Sequence, residues 1–138
     1  MRVIIISTIV VLIVIAAGFF FFQRKTGGDE SCTVDTAKRV PQGSDTVTIT
    51  HNDGRFSPDC VLVSSGGKIA WINNDVDKEI QIGANPHPVH NGNKEVSDGS
   101  YVLKLGSGEE KTIIMSKIGN FGYHNHINSS TNGTIIVE

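Results

Sequence analysis

The chain has 138 residues, with 12 lysines and arginines against 14 aspartates and glutamates, a formal net charge of −2 and a pI near 6.2. It carries no basic stripe, so we expect no nucleic-acid partner. It also lacks a phosphate-binding glycine loop, a Gly-x-Ser-x-Gly elbow and an evident pair of catalytic carboxylates.

The chain begins with an apolar run over residues 3–22 that contains no charge. A helix rising about 1.5 Å per residue crosses the ~30 Å hydrocarbon core in about 20 residues. We therefore predict an N-terminal transmembrane anchor over residues 1–25. A cleaved signal peptide is the alternative, with Ala16-Ala17-Gly18 as its cleavage site, but four phenylalanines follow where a polar boundary is expected.

The orientation of this span follows from the size of what comes after it. Arg24 and Lys25 follow the span, and a simple positive-inside count would place the C-terminal side in the cytoplasm. Long following domains, however, are translocated largely regardless of charge. We expect a single-pass protein of the cell membrane with its domain on the extracytoplasmic side.

A polar segment over residues 26–45, with glycine, proline and charged residues, predicts a linker. It contains Cys32, and the following domain contains Cys60. Outside the cytoplasm, these cysteines either form a disulfide that ties the linker to the domain or remain two unrelated thiols.

Short apolar or alternating runs begin at residue 46 and continue to the end of the chain. Glycine, asparagine, aspartate and serine clusters separate them, and period-two alternation indicates half-buried strands. About eight such runs predict an all-β sandwich over residues 46–138. The candidate strands are 47–50, 61–63, 68–72, 79–82, 101–105, 111–115, 120–123 and 134–137.

One segment, residues 84–100, shows no strand pattern. Structureless loops longer than about 12–15 residues are usually functional or disordered. This loop carries His87 and His90, and Pro86 and Pro88 restrict the backbone on both sides of His87.

Four of the five histidines fall in two clusters, His87 with His90 and His124 with His126. On a strand, His124 and His126 point to the same face, where they are close enough to share one ion. Three or four imidazoles suit copper(II), zinc or nickel better than calcium or magnesium. The alternative is that these side chains only form hydrogen bonds in their loops. His51, beside Asn52-Asp53-Gly54, is interpreted as a turn residue.

Two stretches of the domain resemble the cupredoxin family. Residues 56–75, with Gly66-Gly67-Lys68-Ile69-Ala70-Trp71-Ile72-Asn73-Asn74-Asp75, are similar to its front half, and residues 119–137 to its final hairpin. The resemblance implies a Greek-key sandwich with a metal site at one end, and His87 matches the first copper histidine of the family. At the family's cysteine position this chain has Asn125, so the type 1 copper cysteine is missing; Asn128 and Thr131 lie near the histidine and methionine positions.

The histidine clusters themselves are similar to motifs of multicopper oxidases. Tyr123-His124-Asn125-His126 resembles their Tyr-His-Ser-His motif, and His87-Pro88-Val89-His90 resembles part of their His-Pro-x-His motif. The resemblance implies that His90, His124 and His126 are ligands of the type found between cupredoxin domains, with His87 as the remnant of a blue-copper site.

Three functions remain open from the sequence. The first is a membrane-anchored copper protein in copper handling or accessory electron transfer, with copper, or else zinc, as its cofactor. Its partners would be a redox or copper-donor protein, or further copies of itself. The second is an oligomeric copper oxidoreductase with histidine sites between subunits, and the third is a metal-free interaction module. Trp71 and Tyr123 are predicted to be core residues.

Overall fold

The computed structural model describes residues 32–138. The predicted anchor over residues 1–25 lies outside this range, as does the first part of the predicted linker. Within the described range, no helix has the length and apolar character needed to cross a membrane.

Residues 32–138 form ten strands in two sheets. All eight predicted strands are confirmed, and two short strands, Lys38–Arg39 and Arg55–Ser57, were not predicted. The strands are β1 (Lys38–Arg39), β2 (Thr46–Asn52), β3 (Arg55–Ser57), β4 (Cys60–Val63), β5 (Gly67–Asn73), β6 (Ile80–Ala84), β7 (Leu103–Leu105), β8 (Glu110–Met115), β9 (Gly119–Asn125) and β10 (Asn128–Val137). The six-stranded sheet has the order β1-β4-β10-β9-β6-β7, and the four-stranded sheet has the order β3-β2-β5-β8. The all-β sandwich is therefore confirmed.

The strands follow the alternation of apolar and polar residues in the sequence. In β2, Val47, Ile49 and His51 are buried, whereas the residues between them are exposed or partly exposed. β2 turns into β3 through Asp53 and Gly54, whose φ values are 50° and 72°. A two-residue hairpin turn with positive φ at both positions favours this Asp-Gly pair, because glycine has no Cβ to clash.

Three aromatic rings fill the centre of the core. Trp71 and Tyr123 are fully buried, as predicted. Their ring centroids lie 4.8 Å apart in an edge-to-face arrangement, and Phe56 lies 5.0 Å from Tyr123. Edge-to-face pairs align the positive edge of one ring with the negative face of another. The indole N–H of Trp71 donates to the carbonyl oxygen of Val96 at 3.2 Å, so the buried polar group is satisfied.

The segment before residue 46 is joined to the domain in two ways. β1 pairs in parallel with β4. Cys32 forms a disulfide with Cys60, the first residue of β4. Of the two alternatives that the sequence left open, the structure has the disulfide. The boundary at residues 45 and 46 stays a prediction.

The neighbouring strands β6 and β9 organise the region of the histidines. They are antiparallel, and Gly83 lies opposite His124. Residues 85–102 leave the end of β6, include a short 3-10 helix over Lys94–Ser97, and return to the sheet edge as β7. This is the loop in which the strand pattern of the sequence breaks.

Candidate metal centre

His124 lies on the face of the six-stranded sheet that points away from the core. Its neighbour Tyr123 belongs to the core, and successive side chains of a strand point to opposite faces. His124 is nevertheless only 1% exposed, because the loop of residues 85–102 covers this face. His126 follows the end of β9, and its backbone N–H donates to the carbonyl oxygen of Gln81 at 2.6 Å. The sheet therefore supports one histidine pair.

The loop brings the second pair of histidines over the same face. The backbone N–H of His90 donates to the carbonyl oxygen of Pro86 at 2.8 Å, which closes a turn around His87. The hydroxyl of Tyr101 donates to the carbonyl oxygen of Pro88. These two contacts hold His87-Pro88-Val89-His90 against the sheet.

Gly83 makes room for the His90 ring. A Cβ at Gly83 would lie 2.0 Å from the Nδ1 atom of His90 and 2.2 Å from its Cε1 atom. Real atoms do not approach so closely, so the ring can pack on β6 only where the strand has no side chain. His90 is 1% exposed in this position.

The four histidines form one cluster. Each offers one nitrogen such that these four nitrogens lie within 4.8 Å of one another. The His87 ring lies 5.0 to 5.8 Å, centroid to centroid, from the other three rings, and the His90 ring lies 4.8 Å from the rings of His124 and His126. His87 is exposed, His126 is partly buried, and the other two are buried. The structure thus brings together all four predicted site residues.

Alternation along β6 and β9 gives the face of the sheet on which the cluster lies. Gly83 lies between two core residues of β6, and His124 follows the core residue Tyr123. The His124 ring and the Gly83 position beneath His90 therefore face away from the core. His87 joins the same cluster as the other three rings.

Two hydrogen bonds orient the rings. Nε2 of His90 lies 2.8 Å from Nδ1 of His126, so one of these nitrogens donates to the other. Nδ1 of His124 lies 2.6 Å from Oδ1 of Asn85. Nε2 of His124 is buried and has no hydrogen-bond partner among the described residues, and the same holds for Nδ1 of His90.

The electrostatic environment keeps the buried rings neutral. Burial, followed by the repulsion of the other three histidines, lowers the pKa of His124 from 6.5 to about 4. Burial, followed by repulsion from His126 and His87, also lowers the pKa of His90. A neutral imidazole keeps the lone pair that a metal needs. At neutral pH the two buried rings are therefore already in the form that binds a metal.

The donor set is chemically suited to a transition metal. The cluster contains imidazole nitrogens and no carboxylate. Imidazole suits copper, zinc, iron and nickel, whereas calcium and magnesium prefer oxygen ligands. A buried nitrogen without a partner costs free energy, and a bound metal ion would satisfy it. The residues present therefore fit a metal ion held by imidazoles.

Asn125 has a structural role at the position where the family resemblance implies a cysteine. Its side-chain oxygen accepts hydrogen bonds from the backbone N–H groups of Gln81 at 3.1 Å and Ile127 at 3.2 Å. The side chain thereby ties β6 to the end of β9. Both cysteines of the chain, Cys32 and Cys60, form the disulfide.

The interpretation of His51 as a turn residue is wrong. His51 lies within β2 and is 2% exposed, with its Nδ1 atom 2.7 Å from a carboxylate oxygen of Asp75. The other carboxylate oxygen of Asp75 accepts from the backbone N–H of Asp53 at 2.6 Å. The period-two pattern of β2, in which Val47, Ile49 and His51 alternate inward, already contained this signal.

The sequence did not single out three residues that shape the cluster: Gly83, Asn85 and Tyr101. The Tyr101 ring lies 4.5 Å from the His90 ring and 5.9 Å from the His126 ring, centroid to centroid. Tyr101 and Asn85 lie in or beside the loop that breaks the strand pattern, so their position in that loop was the available signal. Gly83, a glycine inside an apolar strand, indicates a close approach of another group.

Comparison with solved structures defines the class of this fold. Neither a family model nor a curated protein sequence matches the chain. A reduced amicyanin variant matches with a TM-score of 0.52 and 16% identity, over 72% of this chain and 86% of the amicyanin. A Cu(I) form of another amicyanin variant at pH 4 gives the same TM-score with 17% identity, over the same shares of the two chains.

A copper-containing nitrite reductase from Thermus scotoductus matches with a TM-score of 0.57 and 21% identity. The match covers 74% of this chain but only 28% of the nitrite reductase. Together these likenesses show that the described part of the chain has a cupredoxin-like fold. The fold carries a histidine cluster that could hold a metal ion.

Proposed function

We propose that this protein is a membrane-anchored, extracytoplasmic, cupredoxin-like protein that binds copper through His87, His90, His124 and His126. Its role is copper handling or accessory electron transfer at the membrane. When bound, the copper ion would supply one-electron redox chemistry, or it would be the cargo that the protein passes to a partner. The chain's own residues hold the ion, shield it and keep the ligands neutral.

The observation that carries this proposal is the convergence of four imidazoles within one chain. Two of them come from β9 and its end, and two come from a loop about 35 residues earlier. Because the set is complete in a single copy, no second subunit has to contribute a ligand. This favours a site within the monomer over a site between subunits.

We propose copper as the metal because both the fold and the imidazole ligands point to it. The names of two of the structural neighbours described above mention copper, and imidazole is a good copper ligand. Among common divalent ions, copper(II) also has the highest affinity for a given nitrogen site.

The extracytoplasmic location has one support within the described residues. Disulfides form and persist in oxidising compartments and are rare in the cytoplasm. The bond joins Cys32, in the predicted linker, to Cys60 of the domain. The proposed anchor over residues 1–25 would place the domain beside the membrane, where a redox or copper-donor partner could reach it.

A copper titration of the purified full-length chain in detergent tests the proposal. We compare the wild type with His87→Ala and with the double variant His124→Ala/His126→Ala, and we record copper electron paramagnetic resonance. His51→Gln is the matched control, because it changes the one histidine outside the cluster. We expect the double variant to lose most copper affinity, His87→Ala to lose less, and the control to bind as the wild type does.

His124 and His126 should matter more than His87, because β9 holds His124 and the hydrogen bond to the Gln81 carbonyl holds His126, without any adjustment of the loop. Circular dichroism of each variant checks that the sandwich is intact. Unchanged affinity in the folded double variant would refute the site and favour the metal-free interaction module. Copper-dependent oxidase or reductase activity that appears only in an oligomer would favour an oxidoreductase.

A further inference from the structure

We infer that Asn85 is a positioning residue that holds the His124 ring with its proton on Nδ1, so that the lone pair of Nε2 points into the histidine cluster. This inference rests on the proposed function, because it says how one ligand is prepared for the metal. It assigns a role to a residue that is not itself a ligand.

The first step is the direction of the hydrogen bond. Oδ1 of Asn85 lies 2.6 Å from Nδ1 of His124. An amide oxygen only accepts, so the imidazole must donate and its proton must reside on Nδ1. In a neutral imidazole the other nitrogen then carries the lone pair. That nitrogen, Nε2, is the buried one without a hydrogen-bond partner among the described residues.

The second step is that Asn85 is itself held in place. Its backbone N–H donates to the carbonyl oxygen of Gly122 at 2.9 Å, which continues the pairing of β6 with β9 by one residue. A Cβ at Gly122 would lie 2.4 Å from Nδ2 of Asn85 and 3.1 Å from its Cγ atom. The amide therefore packs closely against Gly122, directly beside His124, in space that only glycine leaves free.

The third step is the contrast with the other hydrogen bond in the cluster. His90 and His126 direct nitrogens at each other at 2.8 Å, so a metal ion between them would have to displace a shared proton. His124 needs no such change, because its Nδ1 proton is donated to Asn85 and its Nε2 atom is left free for the metal ion. Partners of this kind fix the tautomer and orientation of metal-bound histidines, and their loss typically lowers metal affinity about 10- to 100-fold.

The test compares three variants of the full-length chain in detergent. Asn85→Leu has a similar shape but no acceptor, Asn85→Asp keeps an acceptor oxygen, and Gly122→Ala displaces the Asn85 amide without touching a histidine. The first measurement is nitrogen-15 NMR of the metal-free protein, labelled at histidine, with His124→Gln used to assign the resonances. It reports which nitrogen of His124 carries the proton, independently of any metal.

We expect the proton on Nδ1 in the wild type and in Asn85→Asp, and loss of that preference in Asn85→Leu and Gly122→Ala. The second measurement is copper affinity, which should fall about 10- to 100-fold in Asn85→Leu and largely recover in Asn85→Asp. If Gly122→Ala does not fold, the pair of Asn85 variants carries the test alone.

The outcomes separate the two proposals. A wild-type His124 with its proton on Nε2, or an unchanged tautomer in folded Asn85→Leu, overturns the inference. An unchanged copper affinity in Asn85→Leu, with wild-type binding intact, overturns it too while the copper site stands. A wild type that shows the expected tautomers but binds no copper would refute the proposed function and still support the orienting role of Asn85.

Discussion

Acidification should destabilise the metal-free domain through His124. In the folded chain, burial and the neighbouring histidines lower the pKa of this ring to about 4, against 6.5 for an ordinary histidine. Between these two values the unfolded chain binds a proton that the folded chain excludes. Stability therefore rises with pH in this window, is fully present above about pH 6.5, and is lost as the pH falls toward 4.

The size of the effect follows from the two pKa values. At about 1.4 kcal/mol per pH unit, the free energy of unfolding should fall by about 2 kcal/mol by pH 5 and by about 3 kcal/mol by pH 4. Total stabilities of small domains are about 5–15 kcal/mol, so this is a large fraction. The lowered pKa of His90 acts in the same direction.

The assay is urea unfolding of the full-length chain in detergent with a chelator present, at several pH values from 7.5 to 4. Trp71, the one tryptophan, reports unfolding by fluorescence, since it is fully buried in the folded domain. The matched control is His124→Gln, which removes the titrating ring, so that the titration of all other groups cancels in the comparison. Parallel loss of stability in the two proteins would refute the reasoning.

Three further predictions follow from the geometry. Gly83→Ala should displace the His90 ring, because the new Cβ would lie 2.0 Å from its Nδ1 atom, and should weaken copper binding at least 10-fold in a titration; affinity equal to that of the wild type would contradict this account. Replacing both Cys32 and Cys60 by serine should lower the free energy of unfolding by about 3–4 kcal/mol, since the bond closes a loop with a sequence separation of 28; an unchanged urea midpoint would count against it. Bound copper(II) should show no intense thiolate band near ~600 nm, because Asn125 occupies the implied cysteine position and both cysteines are paired; such a band would contradict the assignment of the ligands.

Local patterns in the sequence were sufficient for the strands and for the choice of candidate ligands. Period-two alternation reports which side of a strand is buried, and it located β5 and β8 closely, because each has one apolar face. The spacing of His124 and His126 likewise predicted that they lie close together, although β9 ends at Asn125 and His126 lies in the turn that follows. The period-two pattern did not predict β1, because that strand has only two residues. It also did not prevent His51, a buried strand residue next to a turn, from being interpreted as part of the turn.

Only the tertiary structure decided how the candidate residues meet. The register that sets Gly83 opposite His124, and the contact of Asn85 with His124 across 39 positions, depend on the pairing of β6 with β9. The sequence shows that Cys32 and Cys60 exist, but the distance between them is a property of the folded chain. The reason is physical: alternation and turn preference act between adjacent residues, whereas register and ring packing are settled by contacts between distant parts of the chain.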